Sequence, residues 1–581
     1  MRGLVVEIVD SVDGAELEPI SRLVLPEPVA PPPMVQLFEW LAIRYCVPRG
    51  RAFGRSQPPR VRVKVTEPNA DPIDVGQIAL KRYPGEALQD ALLNGKSGLW
   101  CLRTLPGEDR GSIYAELCAL ASHSGSSIVV VPEIVLGSIA LDSLEKRLPD
   151  VLRLDSTLPE GERSNNLMQL ARGHRFGAGG RAAVLAPSPR LSLVVVDECH
   201  EPSLKEDRAP RYDARRVAME RGRAGAASCV LAGATPPIEF AFAPGVALIE
   251  PDRGAERERR PIVEIVEPPD DGGLARALHA RVRDELRAGG SVAILTPRRG
   301  FARTLWCGSC RRSLRCPRCE AGLSFDRSPR RVRCGRCGFA AAPPDVCPSC
   351  GASDFRFLGA GSDRLADQLA RSFPTANVAR VDPDSGPARS SQDGPSIYVT
   401  TWFGTKPSIR PLASLVGVLD ADALLRRPDF RAAENGYQAL AAMAEWAGPA
   451  SEGGRLVVQT SEPSHHSVQA ISRGDYRFFA DRELEFRREL GYPPFSELVK
   501  ASAAGPDAAA VIDEVSGVVR AAGGRVLGPV PVRLDGSGPV PREGLQVLVK
   551  CPDADDVATG LRSILPRVPR GTILRVDVDP V

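Results

Sequence analysis

Four Cys-x-x-Cys pairs lie close together in the second half of this sequence and constrain it more than any other feature. They are Cys307/Cys310, Cys316/Cys319, Cys334/Cys337 and Cys347/Cys350. Each pair can supply two thiolates to a tetrahedral metal site, so the four pairs complete two such sites. The other cysteines, out of 14 in 581 residues, are too sparse for a disulfide framework. The sequence therefore predicts a metal-binding segment within a larger protein.

The spacing of the pairs favours a nested arrangement of the two sites. The first two pairs are too close in sequence to face each other easily, whereas the stretch between Cys319 and Cys334 is long enough for a hairpin. We therefore predict two structural zinc ions. One is bound by Cys307, Cys310, Cys347 and Cys350, and the other by Cys316, Cys319, Cys334 and Cys337. An iron–sulfur cluster is the chemical alternative, because four cysteine ligands do not distinguish iron from zinc.

Length and charge limit the remaining possibilities. A chain of 581 residues exceeds what one hydrophobic core organises, so several domains are expected. The net charge of +3 is too small for a generally basic nucleic-acid binder, and any such surface must be local. Glu7 and Asp10 interrupt the apolar start, and no long apolar run follows. We expect a soluble, cytoplasmic protein without a membrane segment.

Short apolar runs alternate with helical stretches, which is typical of buried parallel strands in α/β layers. The first series of runs lies at 98–102, 128–131, 182–185, 191–196 and 229–232, and the second at 291–295, 378–381, 397–400, 415–419 and 455–459. We expect a small domain at 1–66, one α/β lobe at 67–255, a second at 256–460 with the zinc insert at 304–356, and a C-terminal α+β domain at 461–581. A strand is expected at 60–65.

An acidic pair follows the strand predicted at 191–196. Asp197 and Glu198 occupy the positions in which a helicase-type Walker B motif holds Mg²⁺ and activates water. A third helicase-like motif, Gly233-Ala234-Thr235, follows the next apolar run. Together they predict a RecA-like lobe.

The phosphate loop that should precede this pair is altered. The stretch from Arg103 to Ser112 contains no lysine, and Glu108 and Asp109 place carboxylates where a polyphosphate would lie. The alternative Gly95-Lys96-Ser97 lacks the leading glycine and runs into a strand. We therefore expect a degenerate ATP-binding site, with Asp197 and Glu198 retained as vestigial residues and a helix starting near Ile113.

These motifs resemble those of the replication restart helicase family PriA, also called primosomal protein N′. The resemblance covers most of residues 98–581 and is most specific in the cysteine block and in Phe430-Arg431. Further matches are Arg298-Arg299-Gly300-Phe301-Ala302, Gly359-Ala360-Gly361-Ser362-Asp363 and Tyr492-Pro493-Pro494-Phe495. It implies two RecA-like helicase lobes, a two-zinc insertion in the second lobe, an N-terminal β-barrel-like domain that is partial here, and a C-terminal α+β domain.

The sequence also departs from the family. Its Gly-Thr-Gln motif is replaced by Thr400-Thr401-Trp402, and the two arginines of its Val-Ala-Gly-Arg-Ala-Gly-Arg motif are replaced by Trp446 and Pro449. The earlier strands of the family's N-terminal barrel have no counterpart, so the domain is reduced or the true start lies upstream.

The resemblance implies a replication restart protein that recognises abandoned or branched forks and supports reloading of the replicative helicase. Its implied ligands are forked and single-stranded DNA, and its implied partners are primosome components and single-strand-binding protein. The departures lead us to expect no helicase activity of its own. The alternatives are an active ATP-dependent 3′→5′ helicase with unconventional motifs, and a zinc-containing nucleic-acid protein with a different task.

Overall fold

The computed structural model describes residues 30–56, 66–69, 71–132, 134–224, 227–269, 273–296, 303–310, 312–318, 322–327, 330–334, 339–358, 362–382, 394–427, 429–534 and 542–580. The strand predicted at 60–65 and most of the predicted barrel-like domain lie outside these residues. The described chain begins with helices α1 (Pro32–Arg44) and α2 (Arg49–Phe53), the first of which has Pro residues in its first turn, where a missing N–H costs nothing.

A parallel sheet forms the first lobe. Its strands are β1 (Gly98–Arg103), β2 (Ser126–Val130), β3 (Leu152–Arg153), β4 (Phe176–Gly179), β5 (Leu191–Val196), β6 (Ser228–Gly233) and β7 (Val246–Ile249), in the order β3-β4-β2-β5-β6-β1-β7. The helices between and around them are α3 (Glu86–Leu93), α4 (Arg110–Ser122), α5 (Ile139–Arg147), α6 (Glu160–Ala171), α7 (Ala214–Ala224), α8 (Ile238–Ala241) and α9 (Arg253–Glu258).

The register of this sheet brings two loops together. Arg103 at the end of β1 lies opposite Gly233 of β6, and Val196 at the end of β5 lies opposite Leu231 of β6. The loops that follow β1 and β5 therefore leave the same carboxyl edge, where ligands bind in open α/β sheets. Helix α4 is buried along its whole length against this sheet.

A second parallel sheet has the order β15-β16-β9-β17-β18-β8. Its strands are β8 (Ile262–Val266), β9 (Val292–Leu295), β15 (Asn377–Val381), β16 (Ser396–Thr400), β17 (Leu415–Val418) and β18 (Arg455–Gln459). The associated helices are α10 (Arg276–Arg287), α11 (Ser362–Ser372), α12 (Ala421–Leu425), α13 (Ala432–Ala447), α14 (His466–Arg473) and α15 (Tyr476–Leu490).

The cysteine segment is inserted between β9 and β15 as a small antiparallel sheet. Its strands are β10 (Arg303–Cys307), β11 (Leu323–Arg327), β12 (Arg330–Cys334), β13 (Ala340–Ala341) and β14 (Phe355–Leu358), in the order β13-β12-β11-β10-β14. Strands β11 and β12 form the hairpin expected from the long spacing between the second and third cysteine pairs.

The C-terminal part is an antiparallel sheet with two helices. Strands β19 (Glu497–Ala504), β20 (Arg525–Leu534), β21 (Arg542–Cys551) and β22 (Ile573–Val578) have the order β20-β21-β19-β22, and the helices are α16 (Ala508–Ala521) and α17 (Ala554–Ile564). The core of this sheet is continuous with that of the first lobe through α1. Short 3₁₀ helices complete the described chain, at Gly54–Ser56, Leu80–Arg82, Ile134–Leu136, Arg181–Leu185, Pro202–Leu204, Trp402–Thr405, Pro407–Ile409, Ala450–Glu452 and Leu565–Arg567.

The predicted α/β architecture, with two parallel-sheet lobes, an inserted cysteine segment and a C-terminal α+β part, is confirmed. One predicted strand is wrong: residues 182–185 belong to the 3₁₀ helix Arg181–Leu185. Helix α4 also begins at Arg110, three residues before the predicted start, because the Asp109 side chain caps it. The exact domain boundaries stay predictions. Within the described part of the chain, no helix has both the length and the apolar character needed to cross a membrane.

Candidate functional site

The acidic pair after β5 is paired with an arginine of the first lobe. Asp197 is 2% exposed, and its Oδ1 atom accepts hydrogen bonds from Arg110 Nε at 2.7 Å and from the Tyr114 hydroxyl at 2.6 Å. A second nitrogen of Arg110 donates to the Glu198 carboxylate. One guanidinium group therefore bridges both carboxylates.

Helix α4 places these donors. Arg110 is its first residue, and Tyr114 lies four residues later on the same face of the helix. The helix can start there because Asp109 accepts a hydrogen bond from the Ser112 N–H at 3.3 Å. A carboxylate of the chain itself thus occupies the helix N-terminus, where a phosphate loop would bind its phosphates.

Burial and neighbouring charges set the protonation of this cluster. Burial alone would lower the pKa of Arg110, but Asp197 and Glu198 raise it well above its usual value. Burial raises the pKa of Glu198 to about 7, and it raises the pKa of the nearby Glu201 to about 7 as well. Burial lowers the pKa of His200 to about 4, so this imidazole is neutral at pH 7.

The other carboxylate of the altered loop is paired with two arginines. Glu108 accepts a hydrogen bond from Arg82 at 2.6 Å and lies 3.5 Å from Arg259. Glu108 and Asp109 were both expected where a polyphosphate would lie. The structure instead uses Asp109 as a helix cap and Glu108 in ion pairs.

The second lobe contributes another ion pair to the cleft beside the acidic pair. Arg410 Nη1 lies 3.2 Å from Glu445 Oε1, and both residues border the same cleft as Glu198. Helix α13 includes the first five residues of the segment that departs from the Val-Ala-Gly-Arg-Ala-Gly-Arg motif and ends at Ala447. Within it, the Trp446 indole donates to the Pro411 carbonyl at 2.7 Å and is buried, so it is a packing residue.

The cleft between the lobes is small in this conformation. Two cavities adjoin the acidic pair, with volumes of about 100 and 60 Å³. Sites for small molecules and cofactors usually have volumes of about 300–1,000 Å³. The described cleft is therefore too small for a nucleotide unless the lobes move apart.

Direct contacts between the lobes hold the cleft closed. Arg431 Nη2 is 2.9 Å from both carboxylate oxygens of Glu239, Gln438 donates to the Thr235 carbonyl at 3.3 Å, and the Tyr476 hydroxyl donates to the Pro236 carbonyl at 2.8 Å. The Phe430-Arg431 motif thus contributes an interlobe ion pair.

The outer cysteine pairs of the insert converge. The four Sγ atoms of Cys307, Cys310, Cys347 and Cys350 lie within 4.8 Å of one another. The separations are 3.5 Å for Cys307–Cys350 and 3.7 Å for Cys310–Cys347, close to the spacing of about 3.8 Å between thiolates of a tetrahedral site with Zn–S of about 2.3 Å. The Cys310 backbone N–H lowers the pKa of Cys307 to about 6, which favours the thiolate. These residues fit a zinc ion.

The inner site is described in part. Cys316 and Cys334 are buried in one small core with Leu323, Phe325 and Val332. Cys319 and Cys337 lie outside the described residues, so the inner site stays a prediction.

The sequence reasoning identified the acidic pair but missed Arg110. The available signal was its position: it is the cation nearest the start of the helix that follows β1, close to where the phosphate-loop lysine would stand.

Two parallel-sheet lobes with RecA-like order, an acidic pair at a strand end between them and a cysteine insert define a helicase-like protein. A model of the primosomal protein N C-terminal domain matches residues 488–581, and a model of a 3′DNA-binding domain matches residues 1–58. Through these two models, the chain is similar to the PriA family of replication restart proteins.

Its relatives include replication restart protein PriA of three bacteria. The protein of Bacillus subtilis is 29% identical, with 71% of this chain and 54% of the relative covered. For Treponema pallidum the identity is 29%, with 93% and 86% covered. For Synechocystis the identity is 30%, with 83% and 62% covered. The chain thus spans about half of the Bacillus relative and most of the Treponema one.

Solved structures similar to this chain include a helicase and a DEAD box protein. The Escherichia coli DEAH/RHA helicase HrpB has 12% identity and a TM-score of 0.35, covering 66% of this chain and 43% of that one. A DEAD box protein from Methanococcus jannaschii has 10% identity and a TM-score of 0.31, covering 67% and 90%.

Proposed function

We propose that this chain acts in replication restart as a fork-binding scaffold that lacks ATP-driven unwinding. Its DNA ligands are branched or forked DNA and single-stranded DNA. Its partners are primosome components and single-strand-binding protein, and it works in the cytoplasm, where it supports reloading of the replicative helicase. The observation that carries the absence of unwinding is the contact of Arg110 Nε with Asp197 Oδ1 at 2.7 Å.

The physical reason is that Arg110 occupies the carboxylates that Mg²⁺ and the attacking water would need. In a helicase site, an Asp at this strand end holds Mg²⁺ and the following Glu activates water. Here one guanidinium group bridges both carboxylates, and the Tyr114 hydroxyl donates a further hydrogen bond to Asp197. A metal–nucleotide complex would have to displace a buried ion pair, and removing one partner of such a pair costs about 3–5 kcal/mol.

The loss of positive charge elsewhere supports the same proposal. The loop after β1 has no lysine, and the family's two arginines of the second lobe are Trp446 and Pro449 here. Few cations are therefore available to stabilise the negative charge that develops on a γ-phosphate during transfer. Loss of a single arginine finger lowers phosphoryl-transfer rates by about 10³–10⁵.

Two structural zinc ions complete the proposal. Cys307, Cys310, Cys347 and Cys350 would hold one ion, and Cys316, Cys319, Cys334 and Cys337 the other. Bound zinc would contribute folding free energy to the insert and no open coordination position. The division into domains at 1–66, 67–255, 256–460 and 461–581 is part of the same proposal.

The test is a filter-binding assay with fork DNA and labelled ATP on one preparation of the full chain. The proposal requires retention of fork DNA in preference to plain duplex, with no retention of ATP. Equal retention of fork and duplex would favour a nucleic-acid protein with a different task. ATP retention that Glu198→Gln weakens would favour the helicase alternative.

A further inference from the structure

A cavity beside the first lobe lies at the opposite edge of the sheet from the acidic pair. It has a volume of about 530 Å³, within the range of small-molecule sites. It is bordered by α1, by the segments that precede β1, β2 and β5, and by the end of α7. It therefore opens at the amino ends of the strands, away from the interlobe cleft.

Arg221 of α7 lines this cavity and has an unusual environment. It is 6% exposed, and its Nη1 atom donates to the carbonyl oxygens of Val184 at 2.6 Å and Ala186 at 3.1 Å. Among the described residues, no carboxylate pairs with it. Burial without a neighbouring charge lowers its pKa to about 9.

This isolation distinguishes Arg221 from the other deeply buried arginines. Every other described arginine that is at most 9% exposed forms an ion pair with a carboxylate: Arg44, Arg103, Arg110, Arg215, Arg431 and Arg487. A buried charge without a counter-charge is costly, so such a group is retained where something else compensates it.

The rest of the cavity is suited to an anion with an apolar part. None of the described residues that border it is acidic, and Arg190 stands exposed at its rim. The buried Ser188 and Ser192 also border it, and the Ser188 hydroxyl is hydrogen-bonded to Ser126. The charge of Arg190 also reaches Arg175, whose pKa is lowered by burial and by this like charge. Met34 and Leu37 of α1 supply an apolar wall.

We propose that this cavity binds a nucleotide unit, with its phosphate paired to Arg221 and its base or sugar against α1. A phosphate is the strong, bidentate acceptor that a guanidinium group suits best. The helix that forms the apolar wall also lies within residues 1–58, which match the 3′DNA-binding domain model. Both a free nucleotide and the terminal nucleotide of a DNA strand can supply a phosphate together with a sugar and a base.

The test measures binding of four probes to the full chain by calorimetry: deoxyadenosine 5′-monophosphate, a short oligonucleotide with a terminal phosphate, deoxyadenosine, and a hexaglutamate peptide. Arg221→Met should weaken binding of a phosphate probe by at least about tenfold, as expected for a lost charge-assisted hydrogen bond. Arg221→Lys should weaken it less. The matched control is Arg223→Met, which removes an exposed arginine two residues along the same helix.

The binding results distinguish a free nucleotide from a DNA strand end as the ligand. Binding of the monophosphate identifies a free nucleotide, and binding of the oligonucleotide alone identifies a strand end. The proposal is overturned if both phosphate probes bind equally to wild type and Arg221→Met, if neither binds wild type, if deoxyadenosine binds as tightly, or if only hexaglutamate depends on Arg221. Thermal unfolding of each variant shows whether it is folded. Retention of ATP and fork DNA by the wild type is measured separately, so failure here is distinct from failure of the proposed cleft function.

Discussion

At the scale of single residues, Arg110 determines what the acidic pair can do. Its guanidinium group contacts the two carboxylates that would otherwise face a metal ion and a water molecule. The same contacts make the site part of the stable core, because a buried charge without its partner destabilises the fold.

We predict that Arg110→Met lowers the free energy of unfolding by about 3–5 kcal/mol, since it leaves Asp197 and Glu198 without a counter-charge. Urea denaturation measures the change. Arg110→Lys keeps one positive charge and should cost less. A loss below about 1 kcal/mol for Arg110→Met would show that the pair contributes little.

A second residue-scale prediction concerns pH. Burial raises the pKa of Glu201 to about 7, from 4.5 in an exposed state. Between these values the folded chain holds a proton that the unfolded chain releases, so the free energy of unfolding falls as pH rises from about 4.5 to 7. The contribution is on the order of 3 kcal/mol.

Glu201→Gln should therefore reduce this pH slope, measured as denaturation at several pH values. The slope does not vanish, because Glu198 titrates in the same range. The exposed Glu162→Gln serves as the control and should keep the full slope. An unchanged slope in Glu201→Gln would contradict the buried, protonated carboxyl group.

The sequence predicted the acidic pair because its strand is a continuous apolar run that ends in Asp197-Glu198. It could not predict that Arg110 bridges them, because the contact spans 87 residues and depends on the register of β5 and β6 beside β1. Motif patterns describe neighbours in the chain, and this contact is made across the sheet.

At the scale of elements, most of the buried central strands of the two lobes were predicted, as was the edge strand β15, whereas several short or half-exposed strands were not. Strand β3 has two residues, and β8 at the edge of its sheet is half-exposed. The apolar run at 182–185 forms a 3₁₀ helix, since a run of that length does not distinguish a strand from a helical turn.

The inserted sheet gives the element-scale prediction. Because zinc–thiolate bonds would supply much of its folding free energy, chelation should unfold the insert while the two lobes keep their secondary structure. Native mass spectrometry should find two zinc ions. Cys307→Ser should remove one of them, whereas Cys551→Ser in the C-terminal sheet should keep both. A brown, iron-containing protein would refute the zinc assignment.

At the scale of the whole molecule, charged side chains join parts that are distant in sequence. Asp579 Oδ1 lies 2.9 Å from Arg44 of α1 and 3.3 Å from Arg216 of the first lobe, and Lys205 pairs with Asp577 at 3.1 Å. Burial alone would raise the pKa of Asp579, but Arg44 and Arg216 hold it well below its usual range. Ion pairs of Asp577 and Asp579 thus connect the C-terminal sheet with both α1 and the first lobe.

Asp579→Asn should lower the free energy of unfolding by about 3–5 kcal/mol, because it leaves two buried arginines short of negative charge. Asn tolerates the left-handed backbone at this position, so the change acts through charge. Denaturation of the full chain measures it. The exposed Asp513→Asn is the control, and an equal effect of the two substitutions would contradict this role.

The interlobe contacts belong to this scale as well. Arg431 contacts Glu239 and the Tyr476 hydroxyl donates to the Pro236 carbonyl, and both contacts join the two lobes. The sequence predicted both lobes and singled out Phe430-Arg431. The contact with Glu239 could not be read from it, because it depends on how the two sheets are placed.

The most direct test is the rate of ATP hydrolysis by the purified full chain in the presence of fork DNA. With Asp197 and Glu198 bound to Arg110 and no phosphate-loop lysine, the expected rate equals that of the Glu198→Gln variant and does not rise when DNA is added. DNA-stimulated turnover in the wild type that Glu198→Gln abolishes would contradict the account and establish a working helicase site.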